Sequence, residues 1–171
     1  MTPRAVLIGP PGSGKSSVGE TLSHLWGVAL RDTDVDVERA AGKSVSDIFV
    51  DDGEAEFRRR ERVAVAAALA EHPGVVSLGG GAILDPETRA LLHTYAADGG
   101  SVVFLDVSLT AVVPRVGLNA ARPLLVGNPR RQWLELMDTR RPLYEELATV
   151  TINTDNIGPD VVAREIAAMQ A

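Results

Sequence analysis

The stretch Gly9-Pro10-Pro11-Gly12-Ser13-Gly14-Lys15-Ser16 constrains the fold of this chain more than any other. It matches the pattern G-x-x-x-x-G-K-S/T in full. An apolar run, Ala5 to Ile8, precedes it, and Val18, Leu22 and Leu25 follow at helical spacing. A glycine-rich turn between strand and helix aims successive backbone N–H groups inward, and the helix adds the positive end of its dipole at the same point. Glycine is needed because a Cβ would crowd the anion. Lys15 then reaches the outer phosphates as a point charge, and the Ser16 hydroxyl is set to ligate the Mg²⁺ that accompanies them. With glycine near ~7% of residues, the four fixed positions coincide by chance in roughly one chain of this size in a hundred or fewer. The pattern predicts a nucleoside triphosphate site.

The 171 residues, 45% hydrophobic and 23% charged, suit one globular domain spanning 1–171. A net charge of −6 argues against a nonspecific nucleic-acid binder while leaving room for a local basic pocket. The absence of cysteine excludes disulfides and thiolate zinc sites and permits a reducing cytoplasmic setting. Met1 to Arg4 lead directly into a short strand, and no long apolar segment occurs, so neither a signal peptide nor a membrane span is predicted.

Apolar runs alternate with helical patterns along the chain. Strands are predicted at Ala5–Ile8, Val28–Leu30, Gly74–Leu78, Ser101–Val107 and Thr149–Ile152. Helices are predicted at Lys15–Trp26, Asp34–Ala41, Ser44–Phe49, Gly53–Ala70, Asp85–Ala96, Leu109–Val116, Arg130–Ala148 and Pro159–Met169. Strands of Val, Ile and Leu without polar alternation are buried on both faces, which describes a parallel sheet with helices on either side and right-handed crossovers.

In such sheets ligands bind beyond the carboxyl ends of the strands. The second strand leads into Arg31-Asp32-Thr33-Asp34, where the two aspartates share one side if the segment is extended. One could hold hydrated Mg²⁺ and the other accept the proton of an attacking hydroxyl; alternatively, Thr33 or Asp34 caps the next helix, with Asp36 completing the cap. The third strand leads into Gly79-Gly80-Gly81-Ala82, a backbone that a ligand can approach closely. Between them, Phe57-Arg58-Arg59-Arg60-Glu61 lies on a helix, where successive side chains diverge by about 100°, so at most one of the three arginines enters a given pocket. Glu61, three residues after Arg58, is placed to hold that guanidinium. Arg115 to Asn128, bounded by glycines, reads as a mobile flap, and Arg122 within it is placed to reach a transferring phosphoryl group. Pro114 and Pro142 are each expected to loosen or kink the helix around them. His24, His72 and His93 match no pattern, and Trp26 and Trp133 read as packing residues.

The phosphate loop, Asp32-Thr33-Asp34, Phe57-Arg58, Gly79-Gly80-Gly81-Ala82, Arg122-Pro123-Leu124-Leu125 and Arg140-x-Pro-Leu-Tyr144, in this order and spacing, resemble the shikimate kinases, the actinobacterial kind in particular. The resemblance covers nearly the whole chain, and the set is specific where each motif alone is ordinary. It implies the nucleoside monophosphate kinase fold: an α/β three-layer sandwich with a five-stranded parallel sheet in order 2-3-1-4-5, substrate-binding helices at about 33–61 and a lid at about 115–128. It also implies Mg²⁺-dependent transfer of the γ-phosphate of ATP to the 3-hydroxyl of shikimate, in chorismate and aromatic amino acid biosynthesis. The enzyme implied is a cytoplasmic monomer with no nucleic-acid or membrane partner.

The same resemblance implies roles. Arg58, Arg140 and the Gly80 backbone, with Gly79 and Gly81 beside it, hold the carboxylate of shikimate. Asp34 binds the ring hydroxyls and serves as the base. Ser16 and, through water, Asp32 belong to the Mg²⁺ shell. Gly12, Ser13, Gly14, Lys15, Ser16 and Ser17 surround the nucleotide phosphates, and Lys15 and Arg122 hold the γ-phosphate. Arg115 packs on adenine, which Thr154-Asp155-Asn156 borders, and Phe49, Phe57, Pro123 and Leu124 form apolar walls. Shikimate carries one carboxylate and three hydroxyls, and a guanidinium pair with an acidic acceptor meets that demand. A gluconate kinase-like enzyme would share the phosphate loop but has no need of paired arginines beside a triglycine backbone. A GTPase-type switch would need an Asn-Lys-x-Asp guanine reader, which the sequence lacks.

Overall fold

A computed structural model of the chain describes residues 1–116 and 128–170. The expected lid residues 117–127 lie outside them. In chain order the elements are β1 (Ala5–Ile8), α1 (Lys15–Trp26), β2 (Leu30–Asp32), α2 (Thr33–Ala41), α3 (Val45–Asp51), α4 (Glu54–Glu71), β3 (Val75–Ser77), a 3₁₀ turn at Ala82–Leu84, α5 (Pro86–Ala97), β4 (Val102–Asp106), α6 (Leu109–Val116), α7 (Pro129–Leu147), β5 (Val150–Asn153) and α8 (Pro159–Met169).

The strands form one parallel sheet in the order β2-β3-β1-β4-β5. Alternate side chains leave it on opposite faces. Val6, Ile8, Val76, Leu78, Val102 and Phe104 pack with residues of α4 to α7, whereas Ala5, Leu7, Val75, Val103, Leu105 and Ile152 pack with α1 and α8. Both faces are therefore dry, which is why β1 reads as an unbroken apolar run. A smaller apolar cluster of Val37, Ile48, Phe57 and Ala64 binds α2, α3 and α4 into one unit beside the sheet.

Three helices have the bounds the periodicity predicts, and most other boundaries move by one or two residues. The second strand differs more, lying at Leu30–Asp32 rather than Val28–Leu30. Gly27 closes α1 in a left-handed conformation (φ 63°), and Val28 N–H then donates back to Ser23 O, so Val28 belongs to the connection. As an edge strand β2 is only half-buried, and its Arg31 is neutralised by Asp36 at 2.6 Å. The prolines do not end their helices: α6 continues past Pro114 to Val116, and α7 past Pro142 to Leu147. Pro142 and Asp138, whose carbonyl loses the hydrogen bond that Pro142 cannot give, are both exposed, so water can take the missing donor's place.

Candidate active site

β1 is central, with β3 and β4 on either side, and the chain leaves it in opposite directions. This switch point opens a crevice at the carboxyl edge, and the phosphate loop lies there. Gly12 and Gly14 adopt left-handed conformations (φ 84° and 92°) that bend the loop into the start of α1. A Cβ on Gly12 would stand 2.6 Å from Val112 and 2.7 Å from Val116, so the loop is packed tightly beneath α6. Lys15 Nζ donates to Gly9 O at 2.7 Å and Pro10 O at 3.1 Å, holding the ammonium along the loop. At the rim, Arg115 donates to Gly12 O and to Thr154 O, both at 3.0 Å, and so bridges the phosphate loop to the loop after β5.

On the other side of the crevice, Asp32 ends β2 and caps α2, accepting the Asp34 N–H at 2.9 Å. The chain is helical from Thr33 onward, so the cap is neither Thr33 nor Asp34, and Asp32 and Asp34 do not share an extended segment. They nevertheless line the same cleft, because Asp34 occupies the first helical turn, where an anion is favoured. Burial, with Asp32 next to it, pushes the Asp34 carboxyl above the usual range against the pull of Lys15 and Arg58. Its Oδ1 is buried and has no hydrogen-bond partner.

Only one of the three consecutive arginines enters the cleft. Arg58 binds Glu61 at 2.7 Å, as their spacing predicts, and its guanidinium lies 5.2 Å from the Phe57 ring centroid. Arg59 and Arg60 turn instead to Glu56, whose carboxyl is lowered to about 2, chiefly by its hydrogen bond with Arg59. Glu61 is almost wholly buried, and burial pushes its carboxyl up despite Arg58. Opposite, on α7, Arg140 is 6% exposed and its Nη1 has no hydrogen-bond partner.

The triglycine turn runs between these two guanidinium groups. A Cβ on Gly81 would meet Arg58 Nη2 at 2.5 Å, and one on Gly80 would come within 3.4 Å of Arg140 Nη1. Among the described residues, the Gly80 and Gly81 N–H groups donate to no internal acceptor. Two guanidinium groups and two amides without internal acceptors thus border the same turn, and these are the kinds of donor a carboxylate takes.

The cleft containing all of these groups has a volume of about 770 Å³. Its apolar wall includes Phe49 and Phe57, with ring centroids 4.7 Å apart. Val45, Ser46, Val50 and Pro11 also line it, and the sequence alone did not mark them. Val45 and Phe49 lie one turn apart in α3, but that spacing is shared by helix faces that merely pack. Gly12, Gly14, Lys15, Ser16, Ser17, Asp32, Asp34, Gly79, Gly80 and Arg115 line the cleft as well. Ser13 is buried within the loop. Arg122, Pro123 and Leu124 fall outside the described residues. Ser16 and Asp32 bring a hydroxyl and a carboxylate to the phosphate loop. Among the described residues no group of three or more His, Cys, Asp or Glu side chains could hold a metal. This donor set suits Mg²⁺, which keeps several waters and takes its remaining ligands from phosphates, rather than a metal held entirely by protein.

A family model for shikimate kinase matches residues 11–170. The chain is 54% identical over 171 residues to a shikimate kinase of Salinispora arenicola, a match covering 100% of this chain and 99% of that one. Among solved structures, a shikimate kinase from Acinetobacter baumannii in complex with shikimate superimposes with a TM-score of 0.91 at 34% identity, covering 99% of this chain and 92% of that one. A gluconokinase from Sinorhizobium meliloti shares the fold with a TM-score of 0.63 at 23% identity, covering 99% of this chain and 91% of that one. The match to one family along almost the full length, together with the paired guanidinium groups that a gluconate site does not need, leads to one assignment: the chain belongs to the shikimate kinase family.

Proposed function

We propose that this chain, acting as a cytoplasmic monomer of one domain, transfers the γ-phosphate of ATP to the 3-hydroxyl of shikimate with the following division of labour. Arg58, Arg140 and the amides of Gly80 and Gly81 bind the ring carboxylate. This fixes the ring so that its hydroxyls meet Asp34, whose Oδ1 accepts the proton as the oxygen attacks phosphorus. The phosphate loop and Lys15 bind the triphosphate, and Arg115 lies beside the adenine. Arg122 closes over the transferred group. Mg²⁺, held by Ser16 and through water by Asp32, would neutralise charge on the outer phosphates. Because the transition state is loose, positioning and charge stabilisation supply most of the acceleration and the base contributes less.

The observation that carries this reading is the buried, internally unpartnered Nη1 of Arg140, set against free glycine amides in the cleft that also contains the phosphate loop. An ADP-release assay comparing shikimate, gluconate and nucleoside monophosphates, with and without chelation of Mg²⁺, tests it. Turnover is expected with shikimate alone and only with the metal. Preferential turnover of gluconate would overturn the reading.

A further inference from the structure

A triglycine backbone is the most mobile that a chain can offer, and it recognises a ligand only if neighbouring groups fix it. The turn after β3 is tied near its start: Gly79 N–H donates to Thr33 Oγ1 at 3.4 Å, and Gly79 O accepts from Ala82 N–H at 3.1 Å. In its middle, the Tyr144 hydroxyl donates to Gly80 O. Tyr144 is fully buried and its ring stacks on Phe104 of β4, centroids 4.9 Å apart. Burial pushes its phenol up to about 12, so it remains a donor at neutral pH.

Tyr144 also stands one turn beyond Arg140 on the same face of α7. One helix therefore supplies a guanidinium to the cleft and a clamp to the backbone facing it. No cis peptide occurs among the described residues, and in a trans unit the Gly80 C=O and the Gly81 N–H point in opposite directions. Fixing that carbonyl fixes the amide.

We infer that Tyr144 is a positioning residue that sets selectivity for a carboxylated acceptor, its hydroxyl holding the Gly80 carbonyl so that the free Gly81 amide faces an anionic oxygen between Arg58 and Arg140. The inference rests on the reading of that pocket as the carboxylate site. Without the hydroxyl, the Gly80–Gly81 peptide is free to turn. The loss then falls on the group that depends on amide direction and leaves the nucleotide side unaffected.

The test uses Tyr144→Phe, which keeps the ring on Phe104 and removes one oxygen. Its kcat/KM is measured with shikimate and with shikimate methyl ester, uncharged at the same position, and the KM for ATP is measured alongside. The KM for shikimate is expected to rise roughly five- to tenfold, the scale of one hydrogen bond, and the preference for acid over ester to shrink by a similar factor. The KM for ATP should stay within about twofold. A merely structural role would lower acid and ester turnover equally; that result, or an unchanged KM for shikimate, overturns the inference. In Phe104→Leu, which keeps the hydroxyl but loosens the ring, the same preference should shrink by a smaller factor, and an undiminished preference there also counts against the clamp. An unmutated protein that fails to phosphorylate shikimate would instead sink the functional reading itself.

Discussion

Asp34 and Glu61 each bring one carboxylate oxygen to the same face of Gly79: a Cβ added there would lie 2.6 Å from Asp34 Oδ1 and 2.8 Å from Glu61 Oε2. Neither oxygen has a hydrogen-bond partner. Burial pushes both carboxyls above the usual range, and the charge of Asp34 pushes Glu61 further. The absent side chain of Gly79 is what gives the two acids room.

Gly79→Ala should therefore act through its neighbours. No positive φ is required at Gly79, so alanine fits the backbone but displaces the two carboxylates. A misplacement on the order of 1 Å at a reacting group costs roughly a hundredfold. The expected result is a loss of that size in kcat/KM for shikimate with ATP binding retained; steady-state kinetics and nucleotide titration measure the two.

Asp34→Asn should separate function from stability. Turnover is expected to fall by roughly 10²–10⁴ once the base is removed. Stability moves the other way. A carboxyl whose pKa is raised on folding binds more protons folded than unfolded between the two values, so the native protein loses stability as pH rises through that interval and regains it on acidification. In the absence of nucleotide and metal, Asp34→Asn should melt above the parent at neutral pH, and the gap should close as pH is lowered through the raised pKa. Thermal melts across pH check this, and a variant that melts below the parent throughout contradicts it.

Arg58→Ala should raise the KM for shikimate far more than that for ATP. It also strands Glu61, 2% exposed, without its cation. Leaving a buried acid unpaired costs up to about 3 kcal/mol after allowance for the partial exposure of the arginine. Adding Glu61→Gln should recover part of the stability but none of the affinity. Chemical denaturation and kinetics on the single and double variants distinguish the effects.

Arg115→Ala removes the side chain that bridges Gly12 O and Thr154 O, each at 3.0 Å. The KM for ATP should rise about tenfold, the loss of one or two charge-assisted hydrogen bonds, while the KM for shikimate stays near the parent value. A matched change in both constants would place Arg115 outside the nucleotide side.

How far the sequence spoke depended on whether a feature was local. The phosphate loop, the bounds of α1, α6 and α8, and the pairing of Arg58 with Glu61 follow from spacing alone, because each is settled within one or two turns of chain. The strand order came only through the family resemblance, since nothing in an apolar run names its neighbour. β2 was misplaced because an edge strand tolerates Arg31 and Asp32, and apolar patterning selects Val28 instead. Asp32 as the cap of α2 was missed because Asp, Thr and Asp in succession all suit that position, and only the backbone decides. Tyr144 was legible as part of a motif, but its grip on Gly80 spans 64 residues and no local pattern carries it.

The order of the strands has a further consequence. Asp32 ends β2 and Asp34 follows it, and the glycines follow β3, while the phosphate loop follows β1 and the Arg115–Thr154 bridge joins α6 to the end of β5. On the proposed roles, nucleotide recognition lies on the β1, α6 and β5 side, and acceptor recognition on the β2 and β3 side together with Arg140, which α7 brings across from between β4 and β5. A chain laid out this way can change what it phosphorylates by altering β2, β3, the helices between them and the cleft-facing residues of α7, and keep its phosphate donor throughout.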